Sequence, residues 1–212
     1  MKYFYNPPLI IKKIFSDFIW ETYNDQILLT FDDGPTVEST ELILKLLGDR
    51  NLHAVFFCVG NNIKLKTQLA KLIIQSGHTL ANHTFNHAVL TNLDKLLVSA
   101  EIEAFNYFVN DNLNYSVKYF RPPHGKFNFR IKRILKQKNL INVMWSLLTY
   151  DYKNDFNIVK YSIDKYLKAN SIIVFHDSIK SVAIIRQSLD YLFEAVERKG
   201  FTIGEPEECL KH

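Results

Sequence analysis

Short runs of consecutive apolar residues alternate along this chain with longer stretches in which apolar residues recur every three or four positions. The runs ILLTF (27–31), HAVFFC (53–58), HTLAN (78–82), VKYF (117–120), INVMW (141–145), SIIVF (171–175) and FTI (201–203) read as β-strands. The stretches near 37–47, 64–75, 92–109, 129–138, 156–168 and 182–199 carry the helical period between them. In the last of these, Val182, Ile185, Leu189, Leu192, Phe193 and Val196 share one face, a stripe that must be buried, and Gly200 follows as a C-cap.

Strands that alternate with helices pair in parallel, in a closed barrel or in an open doubly wound sheet. Several of these strands are apolar throughout, as expected where helices cover both faces. No internal repeat, low-complexity tract or Pro/Gly/Ser linker interrupts the pattern, so residues 27–212 read as one α/β domain behind an N-terminal extension, residues 1–26. In that extension Leu9, Ile10, Phe15, Phe18, Ile19 and Trp20 can form an apolar face beside Lys12 and Lys13. Packing on the domain's own surface is expected, with a membrane-surface helix as the alternative. In either architecture the chemistry belongs at the carboxyl ends of the strands.

Composition narrows the function classes. With 212 residues, 47% of them hydrophobic, the chain builds a core without disulfide staples. Cys58, inside the apolar run VFFCVG, and the distant Cys209 read as free thiols, Cys58 as core packing. A net charge of +4 from scattered lysines gives no nucleic-acid-binding patch. No apolar run approaches the about 18–20 residues of a membrane-spanning helix. The first residues lack the uninterrupted apolar core and cleavage site of a secretory signal. A cytoplasmic location is therefore the default expectation, and association with the cell envelope the alternative.

Four of the strand ends are polar in an unusual way. LLTFDDGP (28–35) places Asp32 and Asp33 side by side, a repulsion that a cation or a proton must settle. After the run 78–82 comes NHTFNH, with His83 and His87 four apart; on a helical turn both imidazoles face one ion. Two histidines and Asp33 form a ligand set of catalytic zinc, related sets hold iron, and Asp32 remains free to act as a base. FRPPHG (120–125) reads as a rigid loop in which Arg121 can orient a carboxylate by bidentate hydrogen bonds. SIIVFHDS (171–178) ends in His176, a suitable general acid. His53 and His78, each opening a strand, read as structural; His212 is the terminus; Asp177 and Ser178 read as backbone partners around His176.

Taken in order, these segments resemble the motifs of the polysaccharide deacetylase family, the NodB-homology carbohydrate esterases of family 4. TFDDGP is similar to the family's first motif, His83-Thr-Phe-Asn-His87 to its second, Arg121-Pro-Pro-His-Gly125 to its third and Ile173-Val-Phe-His-Asp177 to its fifth. The resemblance covers roughly residues 27–203. It implies a distorted (β/α) barrel of about seven parallel strands and a divalent metal, Zn2+ being usual. It further implies Asp33, His83 and His87 as metal ligands, Asp32 as catalytic base, His176 as catalytic acid, Arg121 as holder of the base and Asp151 as tuner of His176. The segment 145–152 departs from the family's fourth motif: Leu148 replaces an Asp, and Tyr152 stands where Trp is common. His124 occupies a position that is usually aromatic, and with Tyr152 it is expected to meet substrate. The implied reaction removes an N-acetyl group from an amino-sugar polymer or oligosaccharide, peptidoglycan or chitin-like, and releases acetate. Hydrolysis of a formyl, O-acetyl or non-sugar amide group is one alternative; a catalytically silent carbohydrate-binding domain is the other.

Overall fold

The computed structural model describes residues 4–211; residues 1–3 of the extension and the terminal His212 lie outside the described residues. The chain folds around one curled sheet of seven strands. They are β1 (Leu28–Asp32), β2 (Val55–Cys58), β3 (Thr79–Asn82), β4 (Tyr119–Phe120), β5 (Ile141–Asn142), β6 (Leu147–Leu148) and β7 (Ile172–His176). Their order is β5-β4-β3-β2-β1-β7-β6, and every pairing is parallel. The central strands β1 and β2 are buried along their whole length, as their unbroken apolar runs require. Phe31 stacks on Phe56 at 5.0 Å in the layer beneath the helices.

The helices are α1 (Leu9–Ile14), α2 (Val37–Gly48), α3 (Gly60–Leu65), α4 (Thr67–Gln75), α5 (Lys95–Leu113), α6 (Phe129–Gln137), α7 (Phe156–Tyr166), α8 (Val182–Arg198) and α9 (Pro206–Cys209). Helix α8 buries Ile185, Leu189, Leu192 and Val196 of its predicted stripe. It closes with paired hydrogen bonds from Gly200 N to Glu197 O and from Phe201 N to Val196 O. Gly200 has φ +67°, the left-handed conformation that this C-terminal motif needs. Among the described residues no helix is long and apolar enough to cross a membrane.

Several elements differ from the sequence pattern. The predicted helix 64–75 is two helices, because Lys66 leaves helical geometry at φ −136°. Helix α5 starts later than the pattern suggests, where the Asp94 carboxylate accepts from Leu97 N. FTI (201–203) joins the sheet through only one bridge, Ile27 to Ile203, and the seventh strand is instead the two-residue β6. INVMW stops being a strand after Asn142, where the carbonyls of Val143 and Met144 turn to the buried guanidinium of Arg121.

The extension packs on the domain. Phe15, Phe18 and Trp20 are buried with Met144 in a cluster of their own, whereas Leu9 and Ile10, predicted for the same face, are 73% and 66% exposed. Ile19 bridges Val143 beside β5, and Leu148 N of β6 donates to Tyr5 O. One stretch of extension thereby contacts both outer strands of the sheet.

Candidate active site

The carboxyl ends of β1, β3, β4 and β7 converge on a cavity of 220 Å³ whose walls include Asp32, Asp33, His83, His87 and His176. Asp32 is the last residue of β1 and is only 5% exposed. Asp33 leaves the strand at φ +76°, which turns the second carboxylate away from the first. Asn62 Nδ2 holds this turn through Asp33 O at 2.7 Å. Adjacent in sequence, the two acids thus answer to different neighbours.

Asp33 Oδ1 lies 3.1 Å from His87 Nε2 and 3.6 Å from His83 Nε2. One ligand atom from each of the three falls within 4.8 Å of the others, the spacing of a metal triad. The histidines do not share a helical turn as predicted: residues 83–87 form a loop in which Thr84 and His87 have positive φ. Asn82 supports that loop by accepting from Thr84 N at 2.7 Å. His83 is buried, and burial first of all lowers its pKa to about 4 despite the nearby Asp32 and Asp33. It is therefore neutral at neutral pH, so its approach to Asp33 is not an ion pair. Its Nδ1 sits 2.8 Å from the Arg121 carbonyl, which must accept from it; Nε2 then keeps its lone pair toward Asp33. Burial pushes the Asp33 pKa up, but a hydrogen bond from His87 and the positive charge of His176 outweigh it and hold the carboxylate ionised. An ionised carboxylate beside an imidazole with a free lone pair is the donor chemistry a divalent cation requires, and the residues fit such an ion.

Arg121, just after β4, is completely buried. Its Nη1 donates to Asp32 Oδ1 and to Thr30 Oγ1, each at 2.7 Å. Nε reaches Val143 O at 2.9 Å and Nη2 reaches Met144 O at 2.7 Å, with the guanidinium 4.0 Å above the Phe57 ring. The predicted bidentate clamp is thus a single contact to the carboxylate, because the other donors hold backbone carbonyls. Thr30 escaped notice in the sequence, and a hydroxyl inside the apolar run LLTF was its signal.

His176 ends β7 directly opposite Asp32 in the β1–β7 register. Asp151, fully buried, accepts from His176 Nδ1 with one oxygen and from His176 N with the other, both at 2.7 Å. Burial lowers the imidazole pKa, but the charge and hydrogen bond of Asp151, with help from Asp33 and Asp32, raise it to about 9. Tyr152 stands edge-on to the ring at 4.7 Å, and Leu148 lines the same wall. His124, exposed and at φ +58°, lies 4.7 Å from the His87 ring at the cavity mouth, outside the triad.

Asp177 has a larger structural part than its sequence reading suggests. Fully buried, it accepts from Ser39 and from Thr40 Oγ1 (2.6 Å), while its N–H donates to Asp32 O at 2.8 Å. It thus ties the start of α2 to the carboxyl ends of β1 and β7. His53 and His78 stand at the opposite ends of the strands, His53 against Glu205 and His78 accepting from Ala54 N.

A family model described as polysaccharide deacetylase matches residues 21–143. The chain is 33% identical to a peptidoglycan-N-acetylglucosamine deacetylase of Bacillus cereus over 128 residues, 60% of this chain and 46% of that protein. It is 37% identical to chitin deacetylase 1 of Saccharomyces cerevisiae over 124 residues, 58% of this chain and 40% of that one. The chain spans about half or less of these two relatives. Among solved structures, a peptidoglycan N-acetylglucosamine deacetylase superposes with a TM-score of 0.84 at 26% identity, covering 96% of both chains. A pseudoenzyme of carbohydrate esterase family 4 from Bacillus anthracis shares the fold, with a TM-score of 0.82 at 21% identity over 91% of this chain and 68% of its own.

Proposed function

Because the chain belongs to the polysaccharide deacetylase family, we propose that it hydrolyses the N-acetyl group of an amino sugar with the help of one divalent metal ion. The observation that carries this reading is the facing pair Asp32 and His176, each held at 2.7 Å by a buried partner of opposite charge, Arg121 and Asp151. An acid and a base placed on neighbouring strand ends serve the two proton transfers of amide hydrolysis. A silent carbohydrate-binding domain has no use for either.

Asp33, His83 and His87 are the residues that would hold the ion, zinc being the expected one. When bound there it supplies Lewis acidity, lowering the pKa of water toward ~7 and polarising a carbonyl. Asp32, fixed by Arg121, takes a proton from water as the oxygen attacks the acetyl carbon. Charge gathers on the carbonyl oxygen, where the backbone N–H of His124 donates. His176, kept as imidazolium by Asp151, protonates the nitrogen while the C–N bond breaks. Acetate and a free amino sugar leave. Leu148 and Tyr152 form the wall beside His176, where the acyl methyl packs against apolar surface.

Peptidoglycan and chitin-like oligomers are the first substrates to try, since relatives carry those names. Acetate release is measured from N-acetylglucosamine oligomers and from peptidoglycan, with zinc-loaded protein beside its Asp32→Asn variant. Release by the wild type that the variant loses supports the reading. Equal release by both, or none from these or any other N-acetylated amino sugar with one ion bound per chain, overturns it.

A further inference from the structure

Beside the catalytic cavity lies a second, mostly apolar cavity of 450 Å³, and Gly125 and Trp145 line both. The extension supplies one side with Pro8, Ile11 and Trp20, and the segment after β4 and β5 supplies the other with Phe127 and Met144. Its volume is that of a small-molecule site. The apolar character continues onto the surface of the elements that frame it, where Phe4, Leu9, Ile10 and Phe129 are all exposed. Two lysines flank the shared wall: Lys126 lines the apolar cavity and Lys180 the catalytic one. Neither ammonium has an ion-pair partner among the described residues.

We propose that the substrate is an amphiphile, an N-acetylated amino sugar joined through a phosphate to an apolar chain. The sugar occupies the catalytic cavity, the phosphate lies between Lys126 and Lys180, and the chain fills the apolar cavity. This assignment rests on the deacetylase reading above and names its substrate class. A polymer of sugars has nothing to place against Phe4, Pro8 and Ile11, whereas an alkyl or isoprenoid chain removes that surface from water. The two cavities meet at Gly125 and Trp145, so the proposed ligand reaches across that shared wall into both, and the unpaired lysines complement a phosphate at the junction.

The chain's two tryptophans, Trp20 and Trp145, both line the apolar cavity, so intrinsic fluorescence reports its occupation. Titration with methyl, butyl, hexyl and octyl phosphate below micelle concentrations should give saturable changes that tighten about fourfold per buried methylene. Octyl phosphate should then bind at least about a hundredfold more tightly than methyl phosphate. Ile11→Asp should abolish the chain-length dependence, and Lys126→Ser should weaken every member of the series. No saturation, no dependence on length, or a signal that follows dimerisation in sedimentation equilibrium overturns the proposal.

Acetate release separates this proposal from the deacetylase reading. The substrates are the methyl and octyl esters of N-acetylglucosamine 1-phosphate. A kcat/KM at least tenfold higher for the octyl ester supports the amphiphile. Equal values, with N-acetylglucosamine oligomers turned over as well, overturn it and leave the deacetylase reading intact. Absence of acetate from every substrate, with octyl phosphate still saturating, overturns the deacetylase reading and leaves the chain-binding cavity in place.

Discussion

Arg121 and Asp32 meet through one nitrogen and one oxygen, Nη1 to Oδ1 at 2.7 Å, in a place where the arginine side chain has no exposure and the aspartate 7%. The rest of the guanidinium is committed to Thr30, Val143 and Met144. One side chain therefore orients the Asp32 carboxylate and secures the segment that follows β5.

Removing one partner of such a pair strands the other charge. Arg121→Met should cost about 3–5 kcal/mol of stability in urea denaturation, the range for a broken buried ion pair. Arg121→Lys keeps the charge but lacks the fork, so it should fold with a smaller loss and still show a depressed kcat. Wild-type kcat in Arg121→Lys would mean that the guanidinium does not position the base.

As the proposed acid, His176 should set the alkaline limb of activity. Its folded pKa of about 9 lies above the ordinary value of ~6.5, so the acid stays protonated through neutrality. Activity should hold below that value and fall as pH rises through about 9. The attraction to Asp151 likewise stabilises the fold fully below ~6.5 and is lost as pH climbs through about 9. Asp151→Asn should move the alkaline limb to lower pH, and His176→Ala should cost on the order of 10²–10⁴-fold in kcat. A pH profile unchanged in Asp151→Asn removes Asp151 from this role.

Gly34 has no room for a side chain. A Cβ there would lie 2.2 Å from Asp177 Oδ2, and Ser39 and Thr40 hold that carboxylate in place. Gly34→Ala should lose about 1–3 kcal/mol by overpacking and lower kcat by shifting the Asp32–Asp33 turn. Thermal melts and kinetics on the same preparation test both, and a melting temperature equal to wild type rejects the clash.

Metal content follows from the triad. Equilibrium dialysis against zinc should give about one ion per chain, falling to background in His83→Ala and in Asp33→Asn. Chelation should lower the melting temperature, because an ion that binds only the folded chain stabilises it by mass action. Asp32→Asn should retain the ion, since Asp32 answers to Arg121, and its loss there would reassign the two acids.

Much of this site was legible because its residues are punctuation at strand ends. Asp32, Asp33, Arg121 and His176 each follow an apolar run, and parallel pairing brings such ends together whatever the details of the helices. The supporting contacts were not legible. Thr30, Asn62, Asn82 and Asp177 act across 20 to 143 positions of sequence, and no periodicity records whom a hydroxyl or an amide will meet. Strand β6 was missed because two residues are too few to show alternation, and the His83–His87 loop was read as helical because spacing alone cannot reveal positive φ. Leu9 and Ile10 were placed on a buried face that α1, only six residues long, does not present to the domain.

The extension's contacts with both outer strands also carry a consequence in time. Residues 5 and 19 are made early, yet their partners, Leu148 and Val143, emerge from the ribosome more than a hundred positions later. Contacts so distant in sequence have a large loop-closure entropy to overcome and form late in folding. Residues 141–148 themselves contain the two edge strands, so the extension waits for both edges to be synthesised and paired before it can bridge the seam of the half-barrel.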